Sequence, residues 1–97
     1  MTTQETKDFI DSVTWEDCTA LLHGHLYWCL GLARYPKDQK IHIQVYEAHP
    51  SSHEFIRELL DYASDNRDDC MKHFLEDKYW DGKTFYEVAP DMEWIDL

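Results

Sequence analysis

The chain predicts an α+β domain, with two or three helices packed on a small antiparallel sheet of about three strands, in the order α-α-β-α-β-β. Three observations predict it. Apolar residues recur at steps of three and four in two long segments. One segment, KIHIQVYEA, alternates strictly between apolar and polar. Near the C-terminus an Asp-Gly pair, a turn signal, precedes two short segments suited to strands. The 97 residues form one domain, 1–97, able to bury a single modest core.

The first element is a short helix over about residues 3–11, carrying Phe9 and Ile10. Thr14 and Asp17 then form a capping-box-like pattern that starts a second helix over about 15–33. Its stripe is Cys18, Leu22, His25, Cys29 and Leu32, broadened by Leu21, Leu26 and Trp28. Gly24 and Gly31 lie on one face of that helix, where they admit another backbone and each cost about 1 kcal/mol relative to alanine. YPKDQ breaks the helix. In the strand that follows, Ile41, Ile43 and Val45 face one side, and His42, Gln44 and Tyr46 the other. Pro50 closes it, and Ser51 with Glu54 forms a second capping box. A long helix then carries Phe55, Ile56, Leu59, Leu60, Ala63, Cys70, Met71 and Phe74 on one side, with a bend expected at 64–66. After WDGK, residues 84–88 and 92–95 make a final strand pair. Alternation in that pair turns Trp94 inward, whereas Tyr79 and Trp80 are expected to be part-exposed.

The formal charge is −11, from 20 acids against 9 bases. Residues 51–97 hold 13 acids against 5 bases, so most of the excess lies in the second half. Such a field repels nucleic acid and membrane surfaces and draws basic partners in quickly. Fourteen aromatic residues argue for a folded chain rather than a disordered acidic tail. No apolar run approaches the roughly 20 residues of a membrane span, and MTTQETKDF has no signal-peptide pattern. An intracellular protein is expected. An odd count of cysteines, Cys18, Cys29 and Cys70, fits reduced, part-buried thiols better than a disulfide framework.

The acids of the long helix form a stripe. With Glu54 set to zero, Glu58, Asp61, Asp65, Asp68, Asp69 and Glu76 fall within about 60° of it, and Asp77 follows at the end. A solvated helix face explains acids in general. It does not explain acid–acid pairs four apart, each costing a few tenths of a kcal/mol, or four aspartates where helix propensity disfavours them. A stripe of about 22 residues at 1.5 Å each spans roughly 33 Å, close to one turn of B-DNA. Carboxylates so arranged suit a Lys/Arg groove meant for DNA, and Glu54, Glu58, Asp61, Asp65, Asp68, Asp69, Glu76 and Asp77 are the candidate partner-binding residues. Further acids, Asp81, Glu87, Asp91, Glu93 and Asp96, flank them.

On the stripe in HEFIRELLDYASDNRDD, the acidic EDKYWDG and PDMEWIDL, and the neutral, aromatic-rich first half, the chain resembles small acidic phage-encoded anti-CRISPR proteins that mimic double-stranded DNA. In particular it looks like the type I-F inhibitors of the Csy surveillance complex. The resemblance covers the whole chain in size and charge and rests on no specific motif. It implies a non-enzymatic inhibitor that occupies the duplex-binding groove of a CRISPR-Cas complex in the cytoplasm of a bacterial host, and blocks target DNA. No cofactor, direct nucleic-acid binding or membrane contact is implied. The alternative is an immunity protein that neutralises a nuclease toxin, where acids meet the catalytic Lys, Arg or His of the toxin.

Other constellations carry less. His23 and His25 lack helical metal-ligand spacing, His49 and His53 flank Pro50, and there is no C-x2-C pair. Neither a Gly-rich phosphate loop nor a nucleophile elbow occurs. Tyr86, Trp94 and Ile95 beside acids suit either an interface or a sheet packed on helices.

Overall fold

In the computed structural model, which describes all 97 residues, the expected second helix is a β-hairpin. Helix α1 (Thr3–Val13) starts at a capping box: Thr2 Oγ1 accepts the Glu5 N–H, and the Glu5 carboxylate accepts the Thr2 N–H. Strands β1 (Cys18–Leu22) and β2 (His25–Arg34) then pair antiparallel around His23-Gly24. Both turn residues have positive φ, 50° and 81°, as a two-residue hairpin turn of primed type requires. Gly24 is therefore a turn residue.

The helical reading failed for a definite reason. A two-residue turn pairs Cys18 with Cys29 and Leu22 with His25, so even positions of β1 share a face with odd positions of β2. Steps of four, three and four then fall on one face of a hairpin as they do on one face of a helix. Asp17 caps nothing; its Oδ1 accepts the Gly31 N–H at 2.8 Å. Gly31 does admit a close backbone: a Cβ there would lie 2.8–2.9 Å from Glu16 main-chain atoms.

Strand β3 (Ile41–Ala48) follows as expected, with Ile41, Ile43 and Val45 buried and His42, Gln44 and Tyr46 on the other face. The expected long helix is instead strand β4 (Phe55–Ser64) followed by helix α2 (Arg67–Glu76). Asn66 caps α2, its Oδ1 accepting the Asp69 N–H at 3.1 Å. Ser51 and Glu54 make no capping box; the Ser51 and Ser52 amides donate to His49 Nδ1. Along β4, Phe55 faces Ala48, Arg57 faces Glu47, Glu58 faces Tyr46 and Leu60 faces Val45, which leaves Ile56 and Leu59 as unpaired extra residues. These two bulges stretch the strand's period of two. Phe55, Glu58 and Asp61 fall on one face at steps of three, a spacing that reads as helical.

Asp81 and Gly82, φ 52° and 81°, turn the chain where Trp80 bridges Lys83, as the Asp-Gly pair predicts. Residues 84–88 are not a strand. Thr84 and Glu87 form a capping box that starts a short helix, α3 (Phe85–Val88), which runs into a 3-10 turn at Ala89–Asp91. Strand β5 (Met92–Ile95) forms, but pairs with β1.

The sheet thus has five antiparallel strands, in the order β4-β3-β2-β1-β5, where about three were expected. The chain is α+β, with element order α-β-β-β-β-α-α-β. The helices cover one face only. There Phe9, Val13, Cys70, Phe74, Trp80 and Phe85 pack on Cys18, Ala20, Tyr27, Cys29, Ile43 and Val45. Phe9 stacks on Phe85, and Trp94 lies edge-on to Phe9 at 5.2 Å. Trp80, expected near the surface, is 3% exposed, edge-on to Tyr27. All three cysteines are free and buried, and burial, then Glu16 and Asp17, push the Cys18 thiol up to about 11.

Candidate acidic protein-binding surface

One continuous segment, 54–77, supplies every acid of the predicted stripe. It builds one margin of the molecule: the edge strand β4 and helix α2, which packs on the covered face of the sheet over β3 and β4. No single helix carries the acids. Glu54 precedes β4, Glu58 and Asp61 project from its helix-free face, and Asp65 sits in the turn. Asp68 and Asp69 lie in the first turn of α2, with Glu76 and Asp77 at its end. The repulsive pairs Glu54–Glu58 and Asp61–Asp65 are not helix neighbours, so that cost is absent. Asp68 and Asp69 also have a structural use, since carboxylates favour a helix N-terminus.

Three of the eight acids are held by histidines. Asp61 lies 3.3 Å from His42 Nδ1, and Asp38 lies 2.6 Å from Nε2 of the same ring. His73 stands likewise between Asp77, 2.8 Å from Nδ1, and Asp69, 3.9 Å from Nε2. Tyr62 stacks on His73 at 3.7 Å and donates its hydroxyl to Asp69 at 2.6 Å. That bond leads the causes that hold the Asp69 carboxyl below its usual range. For His42, burial opposes the charged ring, but the hydrogen bonds that its ring donates to Asp38 and Asp61 outweigh it and raise the pKa. Carboxylates on opposite nitrogens of His42 suit a doubly donating imidazolium, and in neither cluster can the two carboxylates and the ring close on one metal ion. Glu54, Glu58, Asp65, Asp68 and Glu76 have no cation within ion-pair distance.

Below this margin the buried Glu47 ties β3 to the edge. It accepts from Arg57 Nε and meets His25 Nδ1, each at 2.8 Å. Burial would raise its pKa, but the bonds from Arg57 and His25 hold it low. The flanking acids lie apart: Asp81 in the turn, Glu87 in the α3 cap, Asp91 3.9 Å from His23, and Glu93 opposite Leu21.

Sequence reasoning missed the uncovered sheet face. Trp28 and Tyr46, cross-strand partners, lie with ring planes 8° apart and centroids 6.0 Å apart. His53 meets Trp28 edge-on, and Phe55, 64% exposed, tilts against Tyr46 at 5.6 Å. Tyr35 stacks on His42 at 4.1 Å. The signal was present in Tyr46, Gln44 and His42, which alternate away from the core.

A groove of about 390 Å³ opens elsewhere, between α1 and the 89–90 turn, beside the exposed Tyr86. It carries one base, Lys7, and one acid, Asp11, and no grouping suited to acid–base chemistry. No helix is long and apolar enough to cross a membrane. No family model, curated protein or solved structure matches the chain.

Proposed function

We propose that the protein is a non-enzymatic inhibitor whose acidic margin occupies a basic nucleic-acid groove, that of a CRISPR-Cas surveillance complex, and keeps target duplex out. One observation carries the reading. The acids of 54–77 gather on one margin, and Glu54, Glu58, Asp65, Asp68 and Glu76 are left without a cation. Unpaired carboxylates on a folded rim attract lysine and arginine and set a fast, salt-sensitive encounter. The match of a 33 Å helix to one DNA turn no longer supports the idea. What supports it is unpaired charge on both sides of one sheet edge, from β4 on the helix-free face and from α2 on the other. A strand of ten residues spans roughly 33 Å at 3.3 Å each, so the margin is long enough to lie along a groove.

The test is competition. Purified protein should displace duplex DNA from the surveillance complex and bind no DNA itself, with association slowing as salt rises. A stable ternary complex with duplex in its normal groove sinks the proposal. Capture of a nuclease toxin through its active site would move the protein to the immunity alternative.

A further inference from the structure

The face of the sheet that no helix covers is an apolar platform with an acidic border. By cross-strand register it presents Leu21, Trp28, Leu30, Tyr46 and Phe55 across four strands. Leu26 and Ala48 are buried there, outside the main core. Glu58 and Asp61 project beside the aromatic row from β4, and Glu93 projects from β5. The same register places no lysine or arginine on this face: Arg34 and Arg57 pair with Ile41 and Glu47 on the other side.

We infer that this platform is the docking surface for an arginine-bearing segment of a basic protein partner, with guanidinium groups stacked on Trp28 and Tyr46 and bonded to Glu58 and Asp61. The inference rests on the proposed basic partner and names the surface and the side chain that engage. The Trp28 and Tyr46 rings run near-parallel, and a guanidinium lies flat on an aromatic face while its N–H edge stays free for a carboxylate. Lysine has no plane to stack. A single-stranded nucleic acid would also stack on the rings, but its phosphates need cations that this face lacks and would meet Glu58, Asp61 and Glu93. A second copy would set those acids against their own kind.

The experiment uses the full chain, labelled for amide and indole resonances, titrated with three short peptides alike except for arginine, lysine or citrulline, and with a single-stranded oligonucleotide. The arginine peptide should bind about tenfold more tightly than the lysine peptide and shift Trp28, Tyr46 and Glu58. Trp28→Leu and, separately, Glu58→Gln should each weaken it by about fivefold or more, the latter without touching the packing. Equal affinity for arginine and lysine, tighter binding of the oligonucleotide, self-association through this face, or no effect of either substitution would overturn it. Shifts confined to Asp65, Asp68 and Glu76 would overturn the platform while leaving the basic-partner reading standing. If no cationic peptide binds anywhere, both fall.

Discussion

Replacing Gly31 with alanine tests the fold through the sign of the effect. A mid-helix glycine at this position would make Gly31→Ala stabilising by about 1 kcal/mol. The structure demands the opposite. The new Cβ would sit 2.8 Å from the Glu16 carbonyl carbon and 2.9 Å from its Cα and amide nitrogen, where ordinary contacts begin near 3.4 Å. All three neighbours are backbone, so no side chain can swing away. The two chains are also tied together, because the Gly31 N–H donates to Asp17 Oδ1 at 2.8 Å and the Glu16 N–H to the Ser12 carbonyl at 2.8 Å. Relief requires the 14–17 loop or β2 to move by about half an ångström, an overpacking cost of about 2 kcal/mol. For a domain of this size that lowers Tm by roughly 8–16 °C. Thermal and denaturant unfolding of the variant, with an unchanged denaturant slope, measures it. A change below about 0.5 kcal/mol would show that Glu16 is not seated on β2, and any stabilisation would restore the helix.

Gly24→Ala should cost about 1 kcal/mol by the same assay, through positive φ alone, since nothing lies within 4 Å of the new methyl. His42 has a raised pKa, so its ion pairs stabilise the fold below the unfolded value near 6.5 and are lost as pH rises through the folded pKa; His42→Gln should flatten stability across that window. Asp38, Glu47 and Asp69 have lowered pKa values, so their contribution is present above their unfolded values and is lost as pH falls through the folded ones; Glu47→Gln should blunt the acid limb of the stability profile. Neutralising Glu54, Glu58, Asp61, Asp65 and Asp68 together should cost slight stability, through His42 and the α2 N-terminus, and cut target binding by about 1 kcal/mol or more per carboxylate in direct contact. Neutralising Asp8, Asp11 and Glu16, exposed acids outside the margin, should spare binding, and the same loss per charge from both sets would mean that bulk charge is enough.

The sequence carried the α+β class, α1, β3, β5 and the Asp81-Gly82 turn, because each has a local signal: a periodic apolar pair, strict alternation, or a residue pair suited to positive φ. It misled at 15–33 and 54–66, where no local signal separates the alternatives. A hairpin folded about His23-Gly24 and a strand bulged at Ile56 and Leu59 both generate steps of three and four. The winning term is tertiary: these strands bury Cys18, Ala20, Tyr27 and Cys29, and pack Leu60 and Tyr62, in a core completed by Phe9 and Phe74 from distant segments. The acids of the margin were legible as a set. Their arrangement was not, since it depends on which strand lies at the sheet edge.

That position changes what each acid means. A ten-residue edge strand invites another strand to add, and proteins blunt such edges with charge and bulges. β4 has both, so Glu58 and Asp61 are accounted for by edge protection whether or not they meet a partner. Asp68 and Asp69 serve the α2 N-terminus, and Asp77 serves His73. Asp65 and Glu76 have no such use: both are exposed, neither has a cation nearby, and Glu76 sits at the helix end where the dipole disfavours it. A binding role for the α2 side of the margin therefore rests most heavily on those two residues. A binding role for the sheet side rests on Trp28 and Tyr46, whose partly buried rings on the uncovered face edge protection does not explain.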